Sequence, residues 1–239
     1  MTRHRARWAA DRRPLIGALM LSALLSGCSS GFREFLGVDE PESEASVKDL
    51  GNYHDPMVLL NRANSLFDKR NYLEAAMTYE RFLDLHGLNR QADYAQFRVG
   101  VSYLKQFRTI DRDPEPVTKA YKAFQQFLSK YPDSPYVDEA RAQQAIARGH
   151  LADYELFVGR FYYRQSAYPA AINRLEAVLK DYHDLPAAEP ALFFLGEAYR
   201  DSGKTEQAKA SFEQLLQRYP QSGYATRARN ALTQLHGAA

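Results

Sequence analysis

Few residues in this sequence are placed to do chemistry. Its only cysteine, Cys28, cannot form an intramolecular disulfide or a cysteine-based metal cluster. The histidines that follow it are scattered at His54, His86, His150, His183 and His236. None stands in an HExxH or other zinc-binding spacing, and the chain has no GxSxG, Walker or GxGxxG motif. The sequence therefore predicts a protein that is not an enzyme, with no catalytic site, no metal and no cofactor.

The residues before Cys28 predict one reaction, the lipid modification of its thiol. A basic segment precedes the apolar run Leu15–Leu25, which is followed by Ser26 and Gly27. This run is too short for a helix that spans a bilayer, which needs roughly 20 residues, and it fits a signal peptide. Leu25-Ser26-Gly27-Cys28 matches the bacterial lipobox, so we expect cleavage before Cys28 and acylation of the cysteine, with palmitate among the acyl chains. The alternative is an ordinary signal peptide in which Cys28 is incidental.

The residue after the cysteine indicates the membrane. It is Ser29 rather than Asp, and by resemblance to other bacterial lipoproteins this favours the outer membrane over the inner membrane. Because each buried CH₂ of an acyl chain contributes about 0.8 kcal/mol, several chains anchor a protein stably. We therefore expect a lipid-anchored protein of a Gram-negative outer membrane, facing the periplasm.

The charge balance argues against a nucleic-acid partner. The 239 residues carry a formal net charge of +2, with 45% hydrophobic residues. Five basic residues lie in the predicted signal peptide, against one acidic residue, so the remainder carries a net charge of −2: Arg3, Arg5, Arg7, Arg12 and Arg13, against Asp11. A nucleic-acid binder needs a basic, phosphate-binding surface, which this balance does not predict.

The chain falls into three predicted segments. Residues 1–27 form the signal peptide, residues 28–55 form a flexible, polar and acidic tether, and residues 56–239 form a repeat domain. The tether contains one apolar cluster, formed by Phe32, Phe35, Leu36 and Val38. We expect this cluster either to be part of a loosely packed linker or to rest on the membrane surface or on the repeat domain.

The repeat domain has a periodic pattern of small and large apolar residues. Its anchors are the alanines Ala75, Ala120, Ala171 and Ala208. Four residues after each anchor stand Tyr79, Phe124, Leu175 and Phe212, and eight after it stand Leu83, Leu128, Leu179 and Leu216. Polar residues recur beside them at Glu80, Gln125, Glu176 and Glu213, and small residues precede the anchors by twelve positions at Ala63, Gly159 and Gly196. This is the tetratricopeptide pattern, in which each unit is a pair of helices, A and B. We expect the small residue of helix A to leave room for the alanine of helix B, and the large residues one turn away to fill the space between units.

This pattern predicts an all-α fold, a right-handed tetratricopeptide-repeat solenoid of about four to five helix pairs with a capping helix. The predicted helices span residues 56–69, 71–86, 90–107, 115–131, 136–165, 168–182, 187–202, 204–219 and 222–236. The fifth is unusually long, because no proline interrupts it. The second unit carries an eight-residue insertion, 108–115, between its helices. A groove lined by the A helices would suit an extended peptide or the edge of a partner.

The insertion contains Asp111-Arg112-Asp113-Pro114, for which there are two interpretations. It could be a metal loop. It could also be a turn in which Asp113 caps the following helix and Pro114 takes its first position, and we favour this second reading.

Three stretches resemble the BamD family of outer-membrane lipoproteins. They are Phe107–Pro114, which covers most of the insertion, His150–Tyr163 within the predicted long helix, and Asn173-Arg174-x-Glu176. The resemblance implies a partner of the BamA-type insertase, docked through the carboxy-terminal repeats onto its POTRA domains. It also implies that the amino-terminal repeats receive the targeting strands of unfolded outer-membrane proteins, and it leaves room for further accessory lipoproteins as partners.

The resemblance also implies the partner-binding residues, which are Arg174, Asn173, Glu176, Asp111, Arg112 and Asp113. Arg174 matches the arginine in the region that couples this family to BamA. Its coupling would be direct, or it would hold the long helix in its docking pose. A bland alternative for Arg174 is an ion pair within the chain, with Glu155, Glu176 or Asp181.

Two other functions fit parts of the sequence. Periplasmic repeat proteins that coordinate cell-envelope constriction or peptidoglycan synthesis share helix ends such as Tyr131-Pro132-Asp133-Ser134. These proteins typically begin with a coiled coil, whereas residues 29–55 show no heptads. A helical lytic glycosidase would need an additional catalytic domain, and only one helix is predicted after residue 222.

Overall fold

The computed structural model describes residues 54–110 and 113–237, and all its regular structure in those ranges is α-helical. The helices are α1 (Pro56–Asp68), α2 (Tyr72–His86), α3 (Ala92–Gln106), α4 (Glu115–Lys130), α5 (Val137–Arg164), α6 (Tyr168–Asp181), α7 (Ala188–Asp201), α8 (Thr205–Arg218) and α9 (Ala225–Gly237). Each predicted helix is present, with ends within a few residues of those expected. The signal peptide, nearly all of the predicted tether and its apolar cluster lie outside the described residues.

The helices pack as a chain of neighbouring pairs. Each helix packs against the next one along the sequence, and the A helices α3, α5 and α7 also contact one another in order. The B helices are α2, α4, α6 and α8. This arrangement is the tetratricopeptide-repeat solenoid that the alanine pattern predicts.

A shared turn joins helix A to helix B in three of the four units. Its central residue has a positive φ, 62° at Arg70, 56° at Ser166 and 78° at Gly203. Backbone hydrogen bonds close the turn, for example from Ser166 N to Tyr163 O at 2.9 Å. The second unit lacks this turn, because the predicted insertion separates the end of α3 from the start of α4.

The glycines of the A helices make room for large residues of the B helix in the same unit. A β-carbon built at Gly100 would lie 2.5 Å from Phe124 Cε1, and one at Gly159 would lie 2.8 Å from Leu175. These large residues stand one turn after the anchor alanines, and all four anchor alanines are fully buried. The contacts lie within a unit, whereas we expected the large residues to fill the space between units.

Tyrosine–glutamate hydrogen bonds join consecutive units at two of the junctions. Tyr103 Oη on α3 donates to Glu80 Oε1 on α2 at 2.9 Å, and Tyr199 Oη on α7 donates to Glu176 on α6. At the junction between the second and third units the recurring polar position is Gln125, which bonds within its own helix to Tyr121. The repeated polar position is thus a tie between units.

The long helix α5 connects two separate hydrophobic cores. The first core extends from α1 to the start of α5 at Ala140, and the second begins at Ala152 on the same helix. A third core joins α7, α8 and α9. Helix α9 buries Ala228 and Ala231 and exposes polar residues such as Arg229, as predicted for a cap.

Candidate partner-binding site

Three of the predicted partner-binding residues lie on the exposed face of α6. Asn173, Arg174 and Glu176 are exposed, whereas their neighbours Ile172 and Leu175 are buried in the core. This alternation follows the helical period, which places residues 172 and 175 on the inner face. The three polar residues therefore form part of the solvent-facing surface of the third unit.

Arg174 pairs with one of the three carboxylates considered from the sequence. Its Nη1 lies 3.0 Å and 3.1 Å from the two carboxylate oxygens of Glu155 on α5. The side chain of Arg174 remains 48% exposed and that of Glu155 remains 22% exposed. The pair joins α6 to the long helix, and it leaves half of the arginine accessible to a partner.

Glu176 extends this surface to α7, through its hydrogen bond with Tyr199. Burial of the phenol raises the pKa of Tyr199 to about 12, and the hydrogen bond to the Glu176 carboxylate adds to the shift. The tyrosine therefore stays protonated and donates. The exposed surface that contains Asn173, Arg174 and Glu176 is thereby fixed by contacts from the helices on both sides, and we name it the α6 face.

A second ion pair holds α5 against the turn after α6. Arg148 Nη1 and Nη2 bond the two carboxylate oxygens of Asp184 at 2.6 Å and 2.7 Å, and Nη2 also bonds Asp181 O at 2.8 Å. Hydrogen bonding to Arg148 lowers the pKa of Asp184 to about 2. Such a bidentate pair has a defined geometry, so it orients α5 relative to the α6 face.

Of the three predicted residues in the insertion, the structure describes only Asp113. Asp113 Oδ1 accepts a hydrogen bond at 2.9 Å from Glu115 N, the first N–H of α4. The N-cap position itself is occupied by Pro114 rather than by Asp113. The helix begins at Glu115, one residue after the predicted first position, Pro114. Asp111 and Arg112 lie outside the described residues, as does Cys28.

Phe107, which follows α3 and directly precedes the insertion, contacts the middle of the long helix α5. The rings of Phe107 and His150 lie 4.3 Å apart between centroids.

In the described ranges, no group of three or more His, Cys, Asp or Glu side chains could hold a metal ion. The helices of these ranges also include none that is long and apolar enough to cross a membrane.

A polar cluster in the first two units was not foreseen from the sequence. Asn64 Oδ1 on α1 accepts hydrogen bonds from Tyr79 Oη at 2.5 Å and from Tyr94 Oη at 2.9 Å. Arg98 Nε on α3 donates to Tyr79 Oη at 3.2 Å, and its guanidinium lies 3.6 Å from the centroid of the Phe67 ring. We name these five residues the Arg98 cluster.

The Arg98 cluster holds a cation without a carboxylate. None of the ion pairs among the described residues involves Arg98, and the aromatic ring of Phe67 is its closest support. Burial raises the pKa of Tyr79 above its ordinary value, so its phenol stays neutral. The sequence signal was faint, since Asn64 stands directly after the small residue Ala63 of helix A, inside an apolar pattern.

The Tyr-Pro-x-Ser helix ends have a structural explanation. Ser134 Oγ donates to Asp93 Oδ2 at 2.7 Å, and Ser222 Oγ donates to Glu189 Oε1 at 2.5 Å. Each bond ties the end of a B helix to the first turn of the A helix in its own unit. In this chain the serines of these motifs therefore serve to hold the two helices of a unit together.

Comparison with known protein families identifies relatives. The YfiO family model, described as an outer membrane lipoprotein, matches residues 51–211, and a tetratricopeptide-repeat model matches residues 195–232. The outer membrane protein assembly factor BamD of Vibrio cholerae is 35% identical over 153 residues, which cover 60% of this chain and 63% of that protein. The protein of the same name from Rickettsia prowazekii is 30% identical over 172 residues, which cover 72% of this chain and 68% of that protein.

The chain thus spans less than two thirds of the length of the Vibrio cholerae relative. Among solved structures, the TPR2AB domain of yeast Sti1 in complex with pHSP90 is similar at 17% identity and a TM-score of 0.34. That similarity covers 77% of this chain and 71% of the other.

Proposed function

The chain belongs to the YfiO family of outer-membrane lipoproteins, and from this premise we propose that it is a non-enzymatic scaffold for the assembly of β-barrel proteins into the outer membrane. In this proposal residues 1–27 are removed, acylated Cys28 and the tether to residue 55 hold the chain at the membrane, and the repeats face the periplasm. The repeats bind a BamA-type insertase and the targeting strands of unfolded outer-membrane proteins.

The single observation that carries the proposal is the half-exposed Arg174–Glu155 pair on the α6 face. An exposed ion pair contributes little to folding, about 0–1 kcal/mol, so its value to stability alone is small. It nevertheless fixes a cation between two helices while leaving half of its side chain in solvent. A carboxylate on a POTRA domain of the insertase would find a preoriented partner there.

Asn173 and Glu176 widen the same contact. Both are exposed, and Glu176, on the side of α6 towards α7, is oriented by Tyr199. A polar surface with its side chains already ordered loses less conformational entropy on binding. The loop residues Asp111, Arg112 and Asp113, which precede the long helix in the sequence, are a second proposed contact with the partner.

The Arg98 cluster supports the proposal that unfolded barrel proteins bind in the amino-terminal repeats. An extended peptide that ends in a carboxylate could pair with the guanidinium of Arg98, whose Nε donates to Tyr79 and which has no carboxylate partner among the ion pairs of the described residues. The ring of Phe67 and the tyrosines of the cluster offer contacts to an aromatic side chain. Such a site recognises the chemistry of a strand terminus rather than a long sequence.

The anchor can be tested independently of the partners. Replacing Cys28 with alanine should abolish lipid labelling and release the protein from membranes. Retention of the variant in the outer membrane, with no lipid on the wild-type chain, would contradict the anchoring proposal.

A role in cell-envelope constriction is the second candidate, and no observation favours it. Its sequence support was the Tyr-Pro-x-Ser helix ends, and their serines bond carboxylates within the repeat. Since these bonds stabilise the fold itself, they do not distinguish between the two functions.

Depletion of the protein in its host tests the proposed function. Barrel proteins that fail to assemble lose the heat-modifiable mobility of the folded form, so this form should decline in the outer membrane and return with the wild-type gene. We expect Arg98→Gln and Arg174→Ala to restore it poorly, while Arg81→Ala, at an exposed position on α2, restores it fully. Unchanged barrel assembly with a defect in constriction would favour the second candidate.

A further inference from the structure

A cleft lined by cations lies where the first A–B turn meets the end of α3. Its volume is about 510 Å³, and its lining residues are Arg70, Asn71, Tyr72, Leu73, Lys105, Gln106 and Arg108. Three of these residues are basic and none is acidic. We name it the Arg70 cleft.

The three cations of the Arg70 cleft are not neutralised within the described chain. Arg70, Lys105 and Arg108 are exposed, and none takes part in the ion pairs of the described residues. Asp68 and Glu74, which flank the turn in sequence, do not line the cleft. Three like charges around one cleft create a positive potential that attracts an anion.

Exposed apolar side chains continue from the cleft along α2. Leu73 lines the cleft and is 51% exposed, and Met77, one turn further along the same helix, is 57% exposed. Residues four apart on a helix lie side by side. The surface therefore combines an anion-attracting cleft with an apolar strip, a combination typical of proteins that contact anionic lipid surfaces.

We propose that the Arg70 cleft binds the phosphate of an anionic phospholipid, with Leu73 and Met77 against the lipid's apolar part. The three basic side chains contact the headgroup phosphate, and Asn71 and Gln106 supply amide donors at the rim. Arg108 also lines a smaller neighbouring cleft with Asp113, whose carboxylate is bound to Glu115 N. The site goes beyond the protein-binding role and does not depend on it.

Native mass spectrometry of the full chain, purified in a nonionic detergent, tests the proposal. The probes are phosphatidylglycerol, phosphatidylcholine and inorganic phosphate, each added separately. The wild type should retain one phosphatidylglycerol. The triple variant Arg70→Gln, Lys105→Gln, Arg108→Gln should bind it at least about tenfold more weakly. A matched triple variant, Arg81→Gln, Lys180→Gln, Arg229→Gln, removes the same charge from other exposed positions and should bind like the wild type.

The apolar strip separates a lipid site from a simple phosphate site. Leu73→Gln with Met77→Gln should weaken retention of phosphatidylglycerol and leave any binding of inorganic phosphate unchanged. The lipid assignment is overturned if the wild type binds inorganic phosphate as strongly as it binds phosphatidylglycerol. It is also overturned if phosphatidylcholine binds as strongly as phosphatidylglycerol. Equal binding by the two triple variants, with helical circular dichroism intact in both, would overturn the site itself.

Discussion

Gly196 on α7 lies so close to Phe212 on α8 that a β-carbon at residue 196 would stand 2.6 Å from Cε1 of the phenyl ring. Gly100 and Phe124 have the same relationship in the second unit. The glycine is needed for the space it leaves, because a fully buried ring occupies it. This contact explains why the repeat pattern has a small residue at this position of helix A.

Gly196→Ala should therefore destabilise the protein. Overpacking of this kind costs about 1–3 kcal/mol, and the gain in helix propensity from glycine to alanine, about 1 kcal/mol, offsets only part of it. The matched control is Gly149→Ala in the middle of α5, where a β-carbon meets nothing within 4 Å. It should be neutral or stabilising in denaturant unfolding. Equal effects of the two substitutions would contradict the packing described for α7 and α8.

The anchor alanines should be equally intolerant of larger side chains. Ala171 and Ala208 are fully buried, so leucine at either position should lower the free energy of unfolding by about 1–3 kcal/mol. Ala145→Leu, at an exposed position on α5, controls for the added surface. Thermal unfolding that is unchanged in both buried variants would show that the register of the repeats is wrong.

The turn between α5 and α6 offers a stabilising substitution. Ser166 has a φ of 56°, where glycine has no steric penalty and other residues lose about 1–2 kcal/mol. Ser166→Gly should raise the free energy of unfolding by up to about 1 kcal/mol, after allowance for the greater freedom of glycine in the unfolded chain. Gly203→Ala, at the equivalent turn, should have the opposite sign. A loss of stability in Ser166→Gly would contradict the left-handed assignment.

Helix positions could be predicted from the sequence because periodicity alone determines which face is buried. The long α5 and the insertion before α4 also followed from sequence, through the absence of proline in one and the altered spacing in the other. The partner of each A-helix glycine could not be predicted. It depends on how far a ring at the next turn reaches across the pair, which residue spacing does not specify.

The partner of Arg174 in the candidate site could not be predicted from the sequence either. Three carboxylates were possible partners, on α6 itself or on the preceding helix. The packing of α6 on α5 selects Glu155, which lies 3.0 Å from Arg174. The Arg98 cluster gathers side chains from α1, α2 and α3. Such a cluster leaves no local pattern, because each helix contributes only one or two of its members.

Acid should weaken the contact between α5 and the turn after α6. The pKa of Asp184 is lowered to about 2 by Arg148, against about 3.9 for an unperturbed aspartate. A lowered pKa contributes stability that is fully present above the unfolded value and is lost as the pH falls towards the folded value. The stability difference between the wild type and Asp184→Asn should therefore be constant above about pH 5 and shrink between about pH 4 and 2. A difference that does not change with pH in this window would rule out the bond to Arg148.

The central claim is that the α6 face couples this scaffold to a BamA-type insertase, and Arg174 tests it through two variants. Arg174→Ala removes the pair with Glu155, and its effect on stability should stay below about 1 kcal/mol because the pair is exposed. The charge-swapped variant, Arg174→Glu with Glu155→Arg, keeps an ion pair between α5 and α6 but reverses its polarity. If the swapped variant binds the partner, Arg174 has a positioning role. If the swapped variant does not bind, Arg174 contacts the partner directly.

The most direct measurement is co-purification of the tagged chain from native membranes in a mild detergent. The account predicts that the wild type recovers a BamA-type barrel in stoichiometric amounts and that Arg174→Ala, folded and equally helical, recovers much less. Recovery of a peptidoglycan synthase or a Tol-type protein in place of the barrel would contradict the proposed function, and full recovery of the barrel by the folded Arg174→Ala variant would remove the α6 arginine from its mechanism.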